Sequence, residues 1–88
     1  MRRRSLIIHP KDNVAVLLEK ADAYDIIEAN GTEVELTQVI EFGHKAAIHD
    51  LKAKDKVYKY GEEIGYMLED MPKGGWIHNH NMGCQRGR

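Results

Sequence analysis

The sequence contains few of the residues that small proteins use for cross-links and chain breaks. Its 88 residues include one cysteine, two prolines, one phenylalanine and one tryptophan. A single cysteine excludes an internal disulfide and fits a reducing compartment, so we expect the protein to be cytoplasmic.

Long apolar runs and an excess of one charge are also lacking. The chain carries 13 basic and 14 acidic residues, a balance that predicts neither a nucleic-acid nor a membrane partner. No apolar run approaches the roughly 20 residues that a membrane helix needs. Residues 1–4 form a basic arm, but the apolar residues 6–8 that follow are too few for a signal peptide.

The length of the chain predicts a single domain, covering residues 1–88. A chain of this size buries only roughly 60–65% of the surface that it exposes when unfolded. That leaves little room for a deep enzyme pocket within one subunit. A function shared with a partner chain is therefore favoured.

Residues 42–81 contain an internal repeat. Residues 48–51 match residues 68–71 at an offset of 20, and the strand-like runs that follow them match at the same offset. A weaker third copy lies thirty residues earlier and includes Leu18. Two copies at a fixed offset predict a small pseudo-symmetric fold rather than a long repeat array.

Short apolar or alternating runs separated by turn residues predict an all-β domain. We expect six or seven short strands, with at most one or two short helices, as in a small β-barrel or β-clip. The main strand-like runs are residues 5–9, 14–18, 33–39, 55–60, 64–69 and 76–80. Asn30 and Gly31 form the strongest hairpin signal, because both residues tolerate positive φ.

Three segments are less regular. Periodicity allows either strand or helix for Val14 to Leu18, and we interpret it as a buried strand because it is β-branched and follows a turn directly. Ala21 to Glu28 predicts a short helical turn or an irregular loop. Met82 to Arg88 has no periodicity, which predicts a mobile tail.

His78 and His80 are the first candidates for a functional site. They lie two positions apart on a predicted strand, so their imidazoles point to the same face. Such a pair can flank one ligand or share a metal, but zinc or iron needs at least a third protein ligand. The candidates for that ligand are His44, His49 and Cys84. The alternative is two exposed histidines at the end of a strand.

The second candidate is the tripeptide from Gly43 to Lys45. The glycine lets a ligand approach the backbone, while His44 is titratable and Lys45 is cationic, a combination that suits an anionic substrate. Lys45 would bind a carboxylate or sulfonate while His44 moves a proton. The alternative is a surface turn with a solvated lysine.

The third candidate is the segment that contains Asp12 and Asn13. Both side chains can cap a turn, which is the commoner role of such residues. His9, on the preceding strand, belongs either to the core or to a pocket. We interpret the larger aromatic residues as core and edge packing; they are Tyr58, Tyr60, Tyr66 and Trp76.

Four motifs in order carry a family resemblance. They are HPKDNVAV at 9–16, FGHKAAIHDLK at 42–52, VYKYGEEIG at 57–65 and DMPKGGWIHNHN at 70–81. On these motifs the chain resembles the SAF-type N-terminal domain of the altronate/galactarate dehydratase family, which implies a β-clip fold. In that family the domain precedes a much larger catalytic domain. Some members are split, as is the related sulfolactate sulfo-lyase, so that a chain of this size is a separate small subunit.

The resemblance implies a function in β-elimination. We expect the small subunit of a hydro-lyase, inactive alone, that eliminates water from a sugar acid such as altronate or galactarate with a separate large catalytic subunit. One alternative is the small subunit of a sulfolactate sulfo-lyase, and another is a non-catalytic SAF module that binds a carbohydrate or a protein. Iron dependence is implied too, with its main ligands expected on the large subunit. Homo-oligomerisation remains open.

The resemblance also assigns roles to positions in this chain. His44, His78 and His80 are the candidate catalytic residues, and the last two are also candidate metal ligands. The candidate substrate-binding residues are Lys45, Asp12, Asn13 and Asn81. We expect the GHK and HNH motifs to lie close together, in one polar patch that faces the large subunit. Lys54 stands where the family usually has a glycine.

Overall fold

The computed structural model describes residues 1–83, and within that range it contains nine short strands and no helix. The strands are β1 Ser5–Leu6, β2 Val14–Leu17, β3 Ile26–Ala29, β4 Thr32–Glu35, β5 Lys45–Ala47, β6 Lys56–Lys59, β7 Glu62–Met67, β8 Trp76–Ile77 and β9 Met82–Gly83. The predicted all-β class is confirmed, with more strands than expected because several have only two residues. No helix in the described range can cross a membrane.

The strands form three small antiparallel sheets. One has the order β1-β2-β5-β8, the second is the β3-β4 hairpin, and the third has the order β6-β7-β9. Two apolar clusters lie between these sheets. The first cluster includes Ile27 and Leu36, and the second includes Val57 and Met67.

Strand β2 connects the two apolar clusters, and the prediction that it is a buried strand is confirmed. Ala15 and Leu17 pack in the first cluster, whereas Val14 packs in the second. Side chains alternate between the two faces of a strand. A strand buried on both faces therefore appears in the sequence as a continuous apolar run, which explains why its periodicity was ambiguous.

Two predicted irregular segments contain strands instead. The second half of Ala21–Glu28 is not a helical turn, because Ile26 begins β3 and pairs with β4. The hairpin turn at Asn30 and Gly31 is confirmed, with φ angles of 52° and 81°. The predicted mobile tail is wrong at its start, since Met82 and Gly83 pair with β7 as β9. Residues 84–88 lie outside the described range.

Four turns of one conformation produce the internal repeat. In each, the fourth residue donates its backbone N–H to the carbonyl of the first at 2.9–3.1 Å, and the third residue has positive φ. The third residues are Tyr24, Gly43, Lys54 and Gly74, with φ between 73° and 91°. Lys54 therefore adopts the backbone conformation that glycine has in two of the other turns. The spacings of 30 between Tyr24 and Lys54 and 20 between Lys54 and Gly74 are the two offsets in the sequence.

Reciprocal backbone hydrogen bonds join these turns in pairs. Leu51 and Met71 bond each other in both directions, at 2.8 and 2.7 Å. Ala21 and Ile40 do the same in the first half, at 2.9 and 3.0 Å. The domain therefore consists of two similar halves, one around each apolar cluster. The offset of 30 relates the two halves, whereas the offset of 20 relates the two paired turns of the second half.

Candidate functional site

The pairing of β5 with β8 forms the centre of the candidate site. Ala46 lies opposite Trp76 and Lys45 lies opposite Ile77. Continuing this antiparallel register by one residue brings His44 beside His78, and their ring centroids are 4.7 Å apart. The predicted proximity of the GHK and HNH motifs is thus confirmed for these two histidines.

Four side chains make up what we call the His–Trp cluster: His44, Trp76, His78 and His80. The indole of Trp76 stacks on His78 at 5.7 Å between centroids and lies 4.7 Å from the ring of His80. Its Nε1–H donates a hydrogen bond to Nδ1 of His44 at 3.0 Å. The indole thus touches all three histidines at the surface of the domain.

Trp76 is the residue that sequence reasoning missed, because we interpreted it as ordinary packing. The signal was present, since Trp76, His78 and His80 are spaced two residues apart. The alternation rule that predicted His78 and His80 on one face applies to Trp76 as well. The strand itself ends at Ile77, so His80 reaches the cluster from the turn that follows.

Asn81 supports the cluster from inside the domain. It is 1% exposed, its Oδ1 accepts the backbone N–H of His78 at 2.9 Å, and its Nδ2 donates to the carbonyl of Trp76 at 2.9 Å. The structure therefore places this predicted substrate-binding side chain inside the domain. Its amide fixes the loop that carries His78 and His80.

Lys45 lies on the other face of β5 from His44. Ala46 packs in the first apolar cluster, whereas Ala47, which alternates to the same face as Lys45, packs in the second. Burial lowers the pKa of the Lys45 ammonium, and the nearby charge of Lys59 lowers it further. The single polar patch that we predicted therefore holds for the three histidines but not for Lys45.

His78 is the histidine of the cluster with the clearest electrostatic perturbation. Partial burial lowers its pKa below the ordinary 6.5, and the charges of His44, Lys45 and His80 act in the same direction. The His78 imidazole is therefore mainly neutral at pH 7. A neutral imidazole has a nitrogen that can accept a proton.

Asp12 and Asn13 lie outside the His–Trp cluster. The Asp12 carboxylate is 3% exposed and accepts the backbone N–H groups of Gly61, His9 and Ile8 at 2.7, 3.2 and 3.3 Å. Burial alone would raise its pKa, but these hydrogen bonds outweigh burial and hold the pKa below its ordinary value.

The Asn13 amide is also used by the backbone. It donates to the carbonyl of Lys56 and accepts from the N–H of Tyr58, both at 2.8 Å. Both predicted substrate-binding residues thus join the loop before β2 to the β6–β7 hairpin.

The residues that the structure describes do not complete a metal site. Across residues 1–83, no group of three histidine, cysteine or acidic side chains is arranged to hold a metal ion. The rings of His78 and His80 are 6.5 Å apart, and His44 has Nδ1 occupied by the indole. His49 is exposed, and Cys84 lies outside the described range.

Sequence comparison assigns the chain to a known family. Residues 3–85 match the family model of the altronate/galactarate dehydratase SAF domain. The chain belongs to this family. The match includes every residue of the His–Trp cluster, so the cluster is part of the SAF domain itself.

Relatives of this SAF domain are of two kinds. The chain is 36% identical over 74 residues to altronate dehydratase of Bacillus subtilis (strain 168), and 39% identical over 74 residues to that of Escherichia coli (strain K12). These matches cover 84% of this chain but only 15% of each enzyme. The chain is also 40% identical over 63 residues to (2R)-sulfolactate sulfo-lyase subunit alpha of Paracoccus pantotrophus. This match covers 69% of the chain and 94% of that subunit.

Proposed function

We propose that this SAF domain acts as the small subunit of a dehydratase-type lyase, and that it presents the His–Trp cluster to an active site shared with a large catalytic chain. The observation that carries the proposal is the 4.7 Å approach of His44 to His78 at the surface. Two histidines from separate motifs meet there, in a domain whose relatives are lyases. The chain spans 15% of the length of the dehydratases that it matches. In the proposed assembly the large chain carries the main catalytic machinery.

The proposed reaction is β-elimination from a sugar acid such as altronate or galactarate. The bond between the α carbon and its hydrogen breaks, and a base takes the proton. The electron pair of that bond becomes the double bond to the β carbon, and the β-hydroxyl leaves with a proton as water. Negative charge develops on the substrate carboxylate, so hydrogen-bond donors and cations around that group accelerate the reaction.

His78 fits the role of a proton-transfer group in this scheme. Its lowered pKa keeps the ring neutral at pH 7, which is the form that can take a proton. The ring of His80 lies 6.5 Å from that of His78 and is exposed. It can therefore contact a substrate or the large chain. Iron dependence of the assembled enzyme remains a prediction, and its ligands would lie on the large chain.

The second candidate function is the small subunit of a sulfolactate sulfo-lyase. It is favoured because this chain covers 94% of a sulfo-lyase alpha subunit at 40% identity. The same removal of the α proton would then expel sulfite from the β carbon in place of water. A cytoplasmic location, predicted from the cysteine content, suits either substrate.

Co-expression with the large chain tests the proposal. The purified complex would be assayed on altronate, galactarate and sulfolactate, with each chain alone as a control. We expect elimination by the complex and none by the 88-residue chain alone. A complex that assembles yet acts equally well with His44→Ala and His78→Ala would contradict a catalytic role for the cluster and favour a non-catalytic binding module.

A further inference from the structure

The hydrogen bond between Trp76 and His44 determines which nitrogen of His44 carries the proton. Indole Nε1–H is a donor and has no acceptor capacity. Since it points at Nδ1 of His44 at 3.0 Å, that nitrogen must present a lone pair. A neutral imidazole with a bare Nδ1 carries its hydrogen on Nε2.

Trp76 is held both through its backbone and through its ring. The backbone carbonyl of Trp76 accepts the Asn81 amide at 2.9 Å, and its backbone N–H donates to Oε1 of Gln38 at 3.3 Å. The ring stacks on His78 with an interplanar angle of 15°. Trp76 thus has little freedom to turn its N–H away from His44.

We propose that Trp76 is a positioning residue that holds His44 as the Nε2–H tautomer, and that His44 acts as a neutral hydrogen-bond donor to an anionic oxygen of the substrate. This inference rests on the proposed function, because the donor needs a substrate at the cluster. The inference assigns different roles to His44 and His78. His44 cannot accept a proton at Nδ1 while the indole occupies it, so another histidine of the cluster must accept the proton. The proposal gives this role to His78, whose ring lies 4.7 Å from that of His44.

The donor role suits the chemistry of elimination. Charge accumulates on substrate oxygens as the α proton leaves, and a fixed N–H aimed at such an oxygen stabilises the transition state. A donor that is positioned in advance does not need to reorient when the charge appears. Catalysis therefore benefits from a partner, Trp76, that prevents the imidazole from changing tautomer.

The tautomer is tested by long-range proton–nitrogen NMR correlation spectra of the 88-residue chain at neutral pH. We expect Nδ1 of His44 to show the shift of an unprotonated nitrogen and Nε2 that of a protonated one. In Trp76→Phe the two nitrogens should move toward averaged values. Tyr58→Phe, which removes a polar hydrogen from an aromatic residue of β6, is the control and should leave His44 unchanged. A wild-type spectrum with the proton on Nδ1 would overturn the tautomer assignment.

The donor role is tested in the active complex with two substitutions at His44. The glutamine amide of His44→Gln can donate a hydrogen bond but cannot act as a base at neutral pH. We expect this variant to keep kcat within about tenfold of wild type, whereas His44→Ala loses on the order of 10²-fold. Trp76→Phe should fall between them in kcat with little change in KM. Equal loss in the glutamine and alanine variants would overturn the donor role.

The two tests separate the failure of this inference from the failure of the proposed function. If the wild-type complex eliminates neither water nor sulfite from any substrate, the proposed function fails, and the donor role fails with it. The NMR result for the isolated chain still stands or falls independently. If the complex is active but His44→Gln equals His44→Ala, only the inference about His44 is wrong.

Discussion

Asp50 and Asp70 each hold the turn that follows the other. Oδ1 of Asp50 accepts the backbone N–H of Lys73 at 2.8 Å, and Oδ1 of Asp70 accepts that of Ala53 at 2.9 Å. The two aspartates are twenty residues apart in the sequence. The strongest repeat in the sequence is therefore a pair of interlocked turns, in which each copy completes the hydrogen bonding of the other.

This symmetry predicts equal effects of Asp50→Ala and Asp70→Ala. Each substitution removes one hydrogen bond to a carboxylate at the surface, so each should lower the free energy of unfolding by about 1 kcal/mol. Urea denaturation measures both. Glu69→Ala, which removes a neighbouring exposed carboxylate, is the control and should have little effect. A loss confined to one of the two aspartates would show that the turns are not equivalent.

Gly43 and Gly74 permit a second matched comparison. Both have positive φ, 84° and 91°. A Cβ added at Gly43 would have no atom within 4 Å, whereas a Cβ added at Gly74 would clash with the carbonyl oxygen of Glu35. Gly43→Ala should therefore cost only the backbone strain, about 1–2 kcal/mol. Gly74→Ala adds a clash with the backbone and should cost about 3 kcal/mol or more. Similar losses in urea denaturation would contradict this explanation.

Sequence reasoning succeeded where local chemistry determines the structure. The Asn30–Gly31 hairpin follows from two residues that tolerate positive φ, and β2 follows from an apolar run. It failed at β3 and β9, because Ile26–Ala29 and Met82–Gly83 are strands only by virtue of pairing with β4 and β7. Such pairing is not visible in a short segment.

The candidate site was also predictable only where local sequence determines it. Strand alternation predicted that His78 and His80 lie together, but β8 ends at Ile77 and His80 lies in the turn that follows, with its ring 6.5 Å from that of His78. The contact of His44 with His78 depends on the register of β5 and β8, some thirty residues apart. The family motifs suggested that contact, whereas spacing alone did not. The same motifs predicted that Asn81 binds substrate, but they do not reveal that its side chain is 1% exposed and that its amide is bonded to backbone groups.

Asp25 should make the stability of the domain depend on pH in acid. Its hydrogen bond from Arg3 at 2.7 Å, together with the backbone N–H of Asp22, lowers its pKa from the ordinary 3.8 to about 2. A folded-state pKa below the unfolded value stabilises the protein above pH 3.8, and this contribution is lost as the pH falls toward 2. We expect the urea midpoint to fall between pH 4 and pH 2.

Substitution of Asp25 tests this assignment. In Asp25→Asn the decline in the urea midpoint below pH 4 should be shallower than in the wild type. Asp22→Asn is the matched control, because the Asp22 carboxylate is 63% exposed against 10% for Asp25 and lies 3.9 Å from Arg3. An unchanged slope in Asp25→Asn would mean that other carboxylates cause the acid sensitivity.

The electrostatic coupling of His78 to Lys45 can be measured in the isolated chain. Burial is the main cause of the low His78 pKa, and the Lys45 charge contributes in the same direction. A proton NMR titration should therefore give a His78 midpoint below 6.5 in the wild type. Lys45→Met removes one cation and should raise the midpoint, while burial keeps it below 6.5. Lys59→Met is the control, and an equal rise there would show that the coupling is not specific to Lys45.

Lys45 should contribute to substrate binding in the complex more than to the chemical step. It is half-buried, and the charged neighbour that perturbs it within the described residues is another cation, Lys59. An anionic substrate would relieve this repulsion in the ground state and in the transition state alike. Loss of a hydrogen bond to a charged group costs about 1.5–3 kcal/mol, so Lys45→Ala should raise KM by at least about tenfold and leave kcat nearly unchanged.

Steady-state kinetics of the complex on its best substrate measures kcat and KM separately. Lys52→Ala is the control for an exposed lysine. Because Lys45 lies on the opposite face of β5 from His44, the outcome also tests whether the substrate extends beyond the His–Trp cluster. A fall in kcat at constant KM would place Lys45 in the chemical step. Unchanged kinetics would restrict the shared site to the face that carries the three histidines and Trp76.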